Sequence, residues 1–358
     1  MAVRLDPAYE IVVGPGVLAA TADLVGDRRR VAIVSQASIA SEYAEQLTNV
    51  LPASEVFLID DGEDAKNLAT VESLARRFAQ WGLLRDDAVV ALGGGVVGDV
   101  AGFTAASYHR GVTVVQAPTT LLAMVDAAIG GKTGVNLAEG KNLVGAFHQP
   151  VGVVADTTTL ATLPEREYRS GLGEVAKYAL MGDVVADPSG IVDILRLRGG
   201  AVLGREPDVL ADLVARCAAI KADVVAADPQ ERTGIRATLN YGHTLAHALE
   251  TAGSYSLTHG EAVAVGLMFA VRLAEAMERV GADAVDRHHA IVASLGLPTE
   301  VPDGATLEPD ALIELMRRDK KARGGLTFIL PGPNGLERVD DPPAFALERA
   351  LEFVGVGS

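Results

Sequence analysis

The distribution of apolar residues divides the chain into two halves with different patterns. In the first 160 residues, short uninterrupted apolar runs alternate with stretches of helical spacing. Uninterrupted runs are typical of parallel strands buried on both faces, because a strand with one wet face alternates instead. The predicted strands are 31–34, 56–59, 88–92, 112–115 and 151–154, and helices are predicted over 41–51 and 70–81. This order predicts a doubly wound, Rossmann-like α/β fold with a mostly parallel sheet.

The chain after residue 165 is dominated by long stretches of Ala, Leu, Val and Glu, separated by Gly and Pro residues. These features predict a mainly α-helical region. The predicted helices are 207–227, 260–280, 287–295 and 309–318, and 326–330 is a candidate lone strand. We therefore predict an α/β domain over residues 1–165 and a helical domain over 166–358. Tight packing of the two would place the active site in the cleft between them.

Composition narrows the function classes. The chain has 358 residues, enough for two domains, and 31 basic against 47 acidic residues give a net charge of −16. Such a charge disfavours nucleic acid and anionic membranes as partners. Cys217 is the only cysteine, so neither an internal disulfide nor a cysteine-based zinc site is expected. Without a signal-peptide pattern or an apolar stretch of about 20 residues, the sequence predicts a soluble, cytoplasmic protein.

A glycine-rich turn follows the predicted strand 88–92. Gly93, Gly95 and Gly98 satisfy the pattern G-x-G-x-x-G, and a helix is predicted to start near Gly98. Such glycines let backbone N–H groups approach a pyrophosphate at a helix N-terminus. A plain tight turn fits the same residues equally well. The position late in the sheet also differs from that of ordinary Rossmann dehydrogenases.

Lys132 lies in the sequence Gly-Gly-Lys-Thr-Gly, which is similar to the end of a P-loop. The P-loop spacing would require glycine at position 126, which is Asp126, so this interpretation fails. The remaining prediction is a flexible loop that carries Lys132 and is followed by Lys141 and Asn142. Solvated surface lysines are the alternative.

The histidines are grouped. His243 and His247 are four residues apart and would share one face of a helix, and His259 follows. A metal site and ordinary structural histidines are about equally supported by this pattern. A His/His/carboxylate set with an open position is typical of catalytic zinc, but the pattern does not identify the carboxylate. His288 and His289 lie in a polar helical stretch and are predicted to be surface residues.

Taken together and in this order, the motifs closely resemble those of the 3-dehydroquinate synthase family, from Gly62 to Lys321. The matching segments, quoted by position, are 62–63 with 66, 91–99, 110–111, 118–122, 126, 130–136, 140–142, 171–178, 236–243, 259–263 and 319–321. The resemblance implies an NAD-binding α/β domain joined to a helical metal-binding domain. It also implies a homodimer in which Arg110 reaches the partner's site.

The resemblance implies roles for individual residues. The implied ligands of Zn²⁺ or Co²⁺ are Glu174, His243 and His259. The implied NAD⁺ contacts are Glu63, Lys66, Gly93, Gly94, Gly95, Asp99, Thr119, Thr120, Leu122, Lys132, Lys141, Thr162 and Leu163. The implied substrate contacts are Asp126, Lys132, Asn142, Lys177, Lys221, Arg236, Asn240, His247 and one lysine of the pair Lys320 and Lys321. Ser35, where dinucleotide proteins often have an acidic or amide residue, implies looser contacts to the adenosine ribose.

The implied reaction converts a seven-carbon keto-acid phosphate into a carbocycle with loss of phosphate. NAD⁺ is consumed and regenerated within each turnover, and the metal acidifies the hydroxyl that is oxidised. The lysines and Arg236 would then bind the substrate's carboxylate and phosphate. The alternatives are an aminodehydroquinate synthase, another sugar-phosphate cyclase, a metal-dependent polyol dehydrogenase, or a binding protein that keeps the fold.

Overall fold

The structure, a computed structural model, describes residues 1–3, 5, 8–184, 190–252, 257–302, 308–318 and 325–357. Contacts divide the chain into two compact units. The first comprises Met1–Leu163 and Arg205–Gln230, and the second comprises Pro164–Gly204 and Glu231–Ser358. The sequence predicted one helical domain over residues 166–358, whereas Arg205–Gln230 belongs to the first unit.

Within the described residues, eleven strands are present. They are β1 (Ala2–Val3), β2 (Tyr9–Gly14), β3 (Arg30–Gln36), β4 (Ala53–Ile59), β5 (Ala88–Gly93), β6 (Thr113–Pro118), β7 (Lys132–Leu137), β8 (Gly140–Phe147), β9 (Gly152–Asp156), β10 (Thr327–Gly332) and β11 (Gly335–Asp340). Seven of them form one sheet in the order β1-β2-β9-β6-β5-β3-β4. Its neighbours are parallel except for the antiparallel pair β1 and β2. The predicted mostly parallel α/β fold is thereby confirmed.

The same part of the chain contains twelve α-helices. They are α1 (Thr21–Val25), α2 (Ala37–Thr48), α3 (Leu68–Trp81), α4 (Gly95–Ser107), α5 (Glu165–Val184), α6 (Ile191–Leu203), α7 (Pro207–Ala227), α8 (His243–Ala252), α9 (His259–Ala276), α10 (Ala282–Ser294), α11 (Pro309–Arg318) and α12 (Ala344–Phe353). None of the described helices is both long enough and apolar enough to cross a membrane.

The sheet of the first unit is covered by helices on both faces. One apolar cluster joins residues of α3 and α4, such as Phe78 and Val100, to Val89 of β5. A second cluster joins Leu47 of α2 to Val90 on the opposite face of the same strand. Adjacent strand residues point to opposite faces, so both must be apolar. This two-sided burial explains why the strands have uninterrupted apolar runs.

The segment around Lys132 is a strand, and the predicted flexible loop is wrong. Lys132 is the first residue of β7, which pairs antiparallel with β8 as a separate two-stranded sheet. A Cβ at Gly145 would overlap the backbone oxygen of Thr133, so the two strands approach closely. Backbone pairing therefore orders a segment whose glycines and polar residues, taken alone, are typical of loops.

Helix α7 completes the first unit. Its Ala218 and Ala222 lie in an apolar cluster with Ile11 of β2 and Ile129. Without this helix, the apolar residues in this region would face water. Its return to the first unit is therefore explained by burial of that surface.

The second unit is built around α9, which is buried on nearly all sides. The helices α5, α8, α10 and α12 all contact α9, as does β10. A helix surrounded in this way is apolar all round, which matches its run of Ala, Val, Leu, Met and Phe. β10 pairs with β11 through six residues of each strand, so the predicted strand at 326–330 is one arm of a hairpin and not a lone strand.

Candidate metal centre and nucleotide site

Three side chains of the second unit converge as a candidate metal centre. One donor atom each from Glu174, His243 and His259 lies within 4.8 Å of the others. Glu174 Oε1 is 3.3 Å from His243 Nε2 and 3.4 Å from His259 Nε2. Glu174 is 1% exposed, and the two histidines are partly buried. The sequence prediction of these three residues as one group agrees with where the structure places them.

Glycines next to these residues let the three helices approach. A Cβ at Gly173 would overlap the backbone of Gly260, and a Cβ at Gly260 would overlap the backbone oxygen of Ser170. A Cβ at Gly266 would likewise overlap the oxygen of Gly242. Each glycine of the motifs Gly-Glu, Gly-His and His-Gly therefore removes a side chain where α5, α8 and α9 meet. The motifs combine a donor with the space that its helix needs.

The helix starts also have physical causes. His243 and His259 are the first residues of α8 and α9. Thr258 caps α9, because its side chain accepts from the N–H of Glu261 while the Glu261 carboxylate accepts from the N–H of Thr258. This capping box fixes the backbone where His259 begins the helix.

Each histidine of the group has a hydrogen-bond partner at Nδ1, the ring nitrogen that does not face Glu174. The Nδ1–H of His243 donates to the backbone oxygen of Tyr241 at 3.0 Å. The Nδ1 of His259 lies 3.2 Å from Glu250 Oε2. Such partners fix the tautomer and leave Nε2 free to bind a metal. Neither Glu250 nor Tyr241 was predicted from the sequence; Glu250 is seven residues after His243 on α8, a spacing that could have indicated it.

Charge around Glu174 is balanced by a buried lysine. Lys177, 1% exposed, forms an ion pair with Glu174 Oε2. Burial alone would raise the pKa of Glu174, but Lys177 and the adjacent rings of His243 and His259 hold it well below its usual value. Burial lowers the pKa of His243. Burial also opposes protonation of His259, yet the carboxylates of Glu174 and Glu250 raise its pKa to about 10.

The donor set fits a divalent transition metal. One carboxylate oxygen and two imidazole nitrogens are the ligands of many catalytic zinc sites, which keep a further position open. The lowered pKa values of Glu174 and His243 favour the forms that bind metal, whereas His259, whose pKa is raised, would release its Nε2 proton when a metal binds. The residues present therefore suit Zn²⁺ or Co²⁺ on chemical grounds.

Further residues predicted for the substrate lie in the second unit. His247 is one helical turn from His243, with ring centroids 5.5 Å apart, but it is not part of the described metal group. Arg236 is 2% exposed, and Asn240 is partly buried at the end of the same 3-10 segment, Ile235–Asn240. Lys320 and Lys321 lie outside the described residues.

In the first unit, the glycine turn lies at the carboxyl end of β5. From β3 the chain first adds β4 on one side and then β5 on the other side. The strand order therefore reverses between β3 and β5, and the carboxyl ends of these strands are a switch point of the sheet. The helix α4 starts at Gly95, three residues before the predicted start. A Cβ at Gly94 would lie 3.0 Å from Thr120, so the turn and this threonine adjoin. The hydroxyl of Ser35 is buried and donates to the oxygen of Leu92.

A polar cluster near this turn joins four more predicted residues. Lys66 Nζ donates to Asp99 Oδ2 at 2.7 Å and to Asn142 Oδ1 at 2.6 Å, and lies 3.6 Å from Glu63 Oε1. Burial raises the pKa of Asp99, and Lys66 only partly offsets this effect. Asn142 has a left-handed backbone, with φ of 55°. Residues predicted separately for NAD⁺ and for the substrate are therefore in direct contact.

Asn136, for which the sequence predicted no role, joins three parts of the polar cluster. Its backbone N–H donates to the oxygen of Lys66, and its side chain donates to Glu63 Oε1, both at 2.8 Å. Its side-chain oxygen accepts from the N–H of Asn142 at 2.8 Å. Its place in the quoted Gly-Val-Asn motif was the available signal.

Lys221 of α7 contacts Asp126. Its Nζ is 2.9 Å from Asp126 Oδ2 and donates to the backbone oxygen of the same residue at 2.7 Å. Asp126 lies in a π-helical turn, Ala123–Ala127, between β6 and β7. Two residues far apart in sequence are thus brought together inside the first unit.

The remaining predicted residues of the first unit are spread over its loops and strand ends. Thr119 is buried, Leu122 precedes the π-helical turn, and Lys132 and Lys141 are exposed on the β7–β8 hairpin. The Thr162 hydroxyl bonds the Tyr43 hydroxyl at 2.6 Å, and the Leu163 oxygen accepts from Arg205 at 2.5 Å. Arg110 is exposed and has a φ of 65°.

The fold and the two clusters define a class of protein. Its first unit is an α/β unit with a glycine-rich turn at a switch point of the sheet, and its helical unit carries a Glu/His/His group able to hold a metal. Residues 56–170 match the family model described as 3-dehydroquinate synthase N-terminal, and residues 171–322 match the one described as 3-dehydroquinate synthase C-terminal. The chain belongs to the 3-dehydroquinate synthase family.

Relatives agree over nearly the whole chain. A protein of Amycolatopsis mediterranei (strain S699) named "Putative aminodehydroquinate synthase" is 46% identical over 98% of this chain and 93% of its own. The 3-dehydroquinate synthase of Geobacter metallireducens is 44% identical over 98% of this chain and 97% of its own. The 3-dehydroquinate synthase of Xylella fastidiosa (strain M23) is 43% identical over 98% of this chain and 96% of its own.

Solved structures share the fold. A 2-deoxy-scyllo-inosose synthase complexed with carbaglucose-6-phosphate, NAD⁺ and Co²⁺ has a TM-score of 0.84 and 27% identity, covering 98% of this chain and 99% of that one. The 2-epi-5-epi-valiolone synthase of Streptomyces hygroscopicus subsp. jinggangensis 5008, with NAD⁺ and Zn²⁺ bound, has a TM-score of 0.83 and 30% identity, covering 97% and 96%. An iron-containing alcohol dehydrogenase of Thermotoga maritima, at 18% identity and a TM-score of 0.65 over 97% and 98%, shares the fold alone.

Proposed function

We propose that this chain is a 3-dehydroquinate synthase that requires NAD⁺ and a divalent metal. It would convert 3-deoxy-D-arabino-heptulosonate 7-phosphate to 3-dehydroquinate and inorganic phosphate, a step of the shikimate pathway. The observation that carries the proposal is the group Glu174, His243 and His259 with the buried Lys177 beside it. It combines a set of metal-ligating side chains with a lysine whose burial excludes a role in solubility.

The proposed metal ligands are Glu174, His243 and His259, which would hold Zn²⁺ or Co²⁺. When bound, the metal supplies Lewis acidity to a substrate hydroxyl, and NAD⁺ supplies a reversible hydride acceptor. The chain's own contribution is to hold the donors in the correct protonation state. The Nδ1 partners of the two histidines, Tyr241 and Glu250, serve that purpose.

Buried cations support an anionic substrate. Lys177 and Arg236 are each almost fully buried in the second unit, and Lys221 is buried in the first. Because these side chains do not face water, they do not serve solubility; Lys177 and Lys221 are paired with Glu174 and Asp126, which offsets the cost of burying their charges. On a protein with a net charge of −16, they are suited to bind a carboxylate and a phosphate. Asp126, Lys132, Asn142, Asn240, His247 and Lys320 complete the proposed substrate contacts.

The proposed nucleotide contacts all lie in the first unit. The glycine turn Gly93–Gly95 leads into α4, so its N–H groups suit a pyrophosphate. Lys66 is paired with Glu63 and with Asp99, and Asp99 lies in α4, the helix that follows the glycine turn. The further proposed contacts are Thr119, Thr120, Leu122, Lys132, Lys141, Thr162 and Leu163.

We further propose a cytoplasmic homodimer. The β7–β8 hairpin exposes Leu143 and Phe147, which are 58% and 50% exposed. Two large apolar side chains on one short hairpin suit contact with a second copy. Arg110, exposed in a left-handed conformation, is the proposed residue that reaches the partner's site.

The second candidate is an aminodehydroquinate synthase. The observation in its favour is the 46% identity to the Amycolatopsis mediterranei relative, which is slightly above that to the Geobacter metallireducens enzyme. The amino analogue of the substrate would keep both the carboxylate and the phosphate. The buried cations therefore serve either substrate, and the two candidates are separated only by direct comparison.

Phosphate release tests the proposal. The protein is incubated with NAD⁺ and Zn²⁺, and separately with the keto-acid phosphate and its amino analogue, while phosphate and absorbance at the NADH wavelength are followed. A 3-dehydroquinate synthase releases phosphate faster from the keto-acid phosphate without net NADH. Preference for the amino analogue establishes the second candidate, and steady NADH accumulation indicates a dehydrogenase and refutes both.

The ligand assignment has a separate test. We expect His259→Ala to lose bound metal and activity together, because one of three donors is removed. His289→Ala, a histidine exposed on α10, is the matched control and should keep both. Full metal occupancy in His259→Ala would contradict the assignment.

Arg236→Ala tests anion recognition. We expect it mainly to raise KM, since a cation that binds substrate and transition state alike changes affinity more than kcat. An unchanged KM in the folded variant would exclude Arg236 from the substrate site.

A further inference from the structure

Tyr241 and His288 form a buried polar pair in the second unit. The Tyr241 hydroxyl lies 2.6 Å from His288 Nε2, and the two rings meet edge to face with centroids 5.9 Å apart. Tyr241 is 0% and His288 4% exposed. His288 Nδ1 lies 2.7 Å from the backbone oxygen of Ala284, which can only accept. Nδ1 therefore carries the proton, and Nε2 accepts from the tyrosine hydroxyl.

This result corrects the sequence prediction that His288 lies on the surface. Its neighbours in α10 are polar, but α10 also contacts α9 and α5, and His288 is on the inner side. His289 is exposed, as predicted. Burial lowers the pKa of His288 to about 4, so its ring is neutral at physiological pH, consistent with an acceptor at Nε2.

The pair is linked to the metal group through one backbone carbonyl. Tyr241 is held by its side chain to His288, while its backbone oxygen accepts from the Nδ1–H of His243. The next residue, Gly242, has a left-handed φ of 79° and lies against Leu267 of α9. The chain between Tyr241 and His243 is therefore fixed at both ends of a tight turn.

Simple packing does not require a polar pair here. Replacing both partners of a buried hydrogen bond by apolar groups of the same shape is often nearly neutral for stability. A tyrosine whose hydroxyl is unbonded, in contrast, can rotate or shift and take its carbonyl with it. The hydrogen bond thus contributes a defined position for the Tyr241 carbonyl rather than apolar burial.

We infer that His288 is a positioning residue, which orients the proposed metal ligand His243 by fixing Tyr241. A chain of three hydrogen bonds, from His243 Nδ1 to the Tyr241 carbonyl and from the Tyr241 hydroxyl to His288 and on to Ala284, selects one tautomer of His243. That tautomer leaves the Nε2 lone pair available to a metal held between His243 and Glu174. The inference rests on the proposed function, in which His243 binds the metal.

Metal binding tests the inference. Tyr241→Phe removes the hydroxyl and keeps the ring, and His288→Leu removes both nitrogens. Competition with a chelating dye gives the Zn²⁺ affinity, and the visible absorption of the Co²⁺-loaded protein reports the geometry at the metal. We expect about tenfold weaker Zn²⁺ binding in each variant, the lower end of the range for losing a partner of a ligating histidine, because the Tyr241 carbonyl is kept but no longer held in place. We also expect an altered Co²⁺ spectrum.

Two comparisons separate positioning from stability. His288→Gln places an amide where Nε2 lies and should restore part of the affinity, while His289→Leu should bind Zn²⁺ like the parent protein. The double variant of Tyr241→Phe and His288→Leu should bind no more weakly than Tyr241→Phe alone, because both changes break one chain. Thermal unfolding without metal is measured for every variant; should His288→Leu not fold, Tyr241→Phe carries the test.

The outcomes are distinct. Unchanged Zn²⁺ affinity and an unchanged Co²⁺ spectrum in folded Tyr241→Phe overturn the inference, even where its stability is lowered. If His243→Ala loses the metal in the same assays, the proposed ligand set survives that result. If His243→Ala keeps full occupancy, the ligand set fails, and the inference fails with it.

Discussion

Gly173 of α5 and Gly260 of α9 touch backbone to backbone, and each is the chain neighbour of a proposed metal ligand. A Cβ on Gly173 would overlap the backbone of Gly260, and a Cβ on Gly260 would overlap the backbone of Ser170 in α5. The distance between Glu174 and His259 is therefore set by two missing side chains. The metal group depends on helix spacing as well as on its donors.

The first prediction concerns that spacing. Gly260→Ala should lower the free energy of unfolding by about 3 kcal/mol or more, because overpacked backbone atoms cannot move aside as side chains do. It should also weaken metal binding, since α5 and α9 are forced apart. Urea unfolding and chelator competition measure the two effects.

Gly200→Ala is its control. A Cβ at Gly200, in α6, would meet nothing within 4 Å. Alanine favours a helix by about 0.5–1 kcal/mol over glycine, so this change should be neutral or stabilising. Equal effects of the two substitutions would show that the α5–α9 contact is not what makes Gly260 important.

The second prediction concerns Glu250. Glu250→Gln removes the negative charge that faces His259 Nδ1. We expect roughly 10- to 100-fold weaker Zn²⁺ binding, as for other carboxylates behind ligating histidines. Chelator competition measures it, with Glu348→Gln on the exposed side of α12 as the control. Parent-like affinity in Glu250→Gln would mean that this carboxylate does not support the ligand.

The third prediction concerns Asn136. Asn136→Ala removes its side-chain bonds to Glu63 and to the N–H of Asn142, so two of the bonds that order the polar cluster at Lys66 are lost. We expect NAD⁺ binding to weaken about tenfold, corresponding to one or two hydrogen bonds. Titration calorimetry checks this, with the exposed Asn49→Ala as the control. Unchanged NAD⁺ affinity would separate the cluster from nucleotide binding.

The fourth prediction is a loss of stability in acid. Burial holds the pKa of His288 at about 4, whereas in the unfolded chain it is near 6.5. Below pH 6.5 the unfolded chain binds a proton that the folded chain does not. His288 therefore stabilises the fold less as pH falls from 6.5 to about 4, and the full loss is about 3 kcal/mol. Tyr241 and Arg287 are the ionisable groups that face it.

Urea unfolding at several pH values, in excess chelator, measures this effect. The stability difference between the parent protein and His288→Gln should change across that pH range, because glutamine does not titrate. His289→Gln should leave the parent's pH dependence unaltered. A constant difference between the parent and His288→Gln would contradict the depressed pKa.

Periodicity was sufficient for elements whose pattern reflects their own burial. Five of the seven strands of the sheet and the helices α3, α7 and α11 were predicted because uninterrupted or helically spaced apolar residues are a direct consequence of how those elements are covered. The β7–β8 hairpin was missed for the opposite reason. Its order comes from backbone pairing, and its side chains are largely polar, small or exposed.

Only part of the candidate site could be predicted from local sequence patterns. His243 and His259 lie close together in sequence, so their grouping was visible. Glu174 is on a different helix, and only the family resemblance indicated it. The burial of His288 and the carboxylate of Glu250 were not predicted, because which face of a helix is covered depends on neighbours that the local pattern does not reveal.

The assignment of α7 to the first unit also determines how the molecule can be made and divided. The chain passes from one unit to the other after Leu163, after Gly204 and again after Gln230. During synthesis, the first unit therefore lacks a helix until residue 230 has left the ribosome, when α5 and α6 are already outside and still without α9. A protease cut or a gene fusion at residue 163 would yield two incomplete pieces. Each unit is thus assembled from more than one segment of the chain.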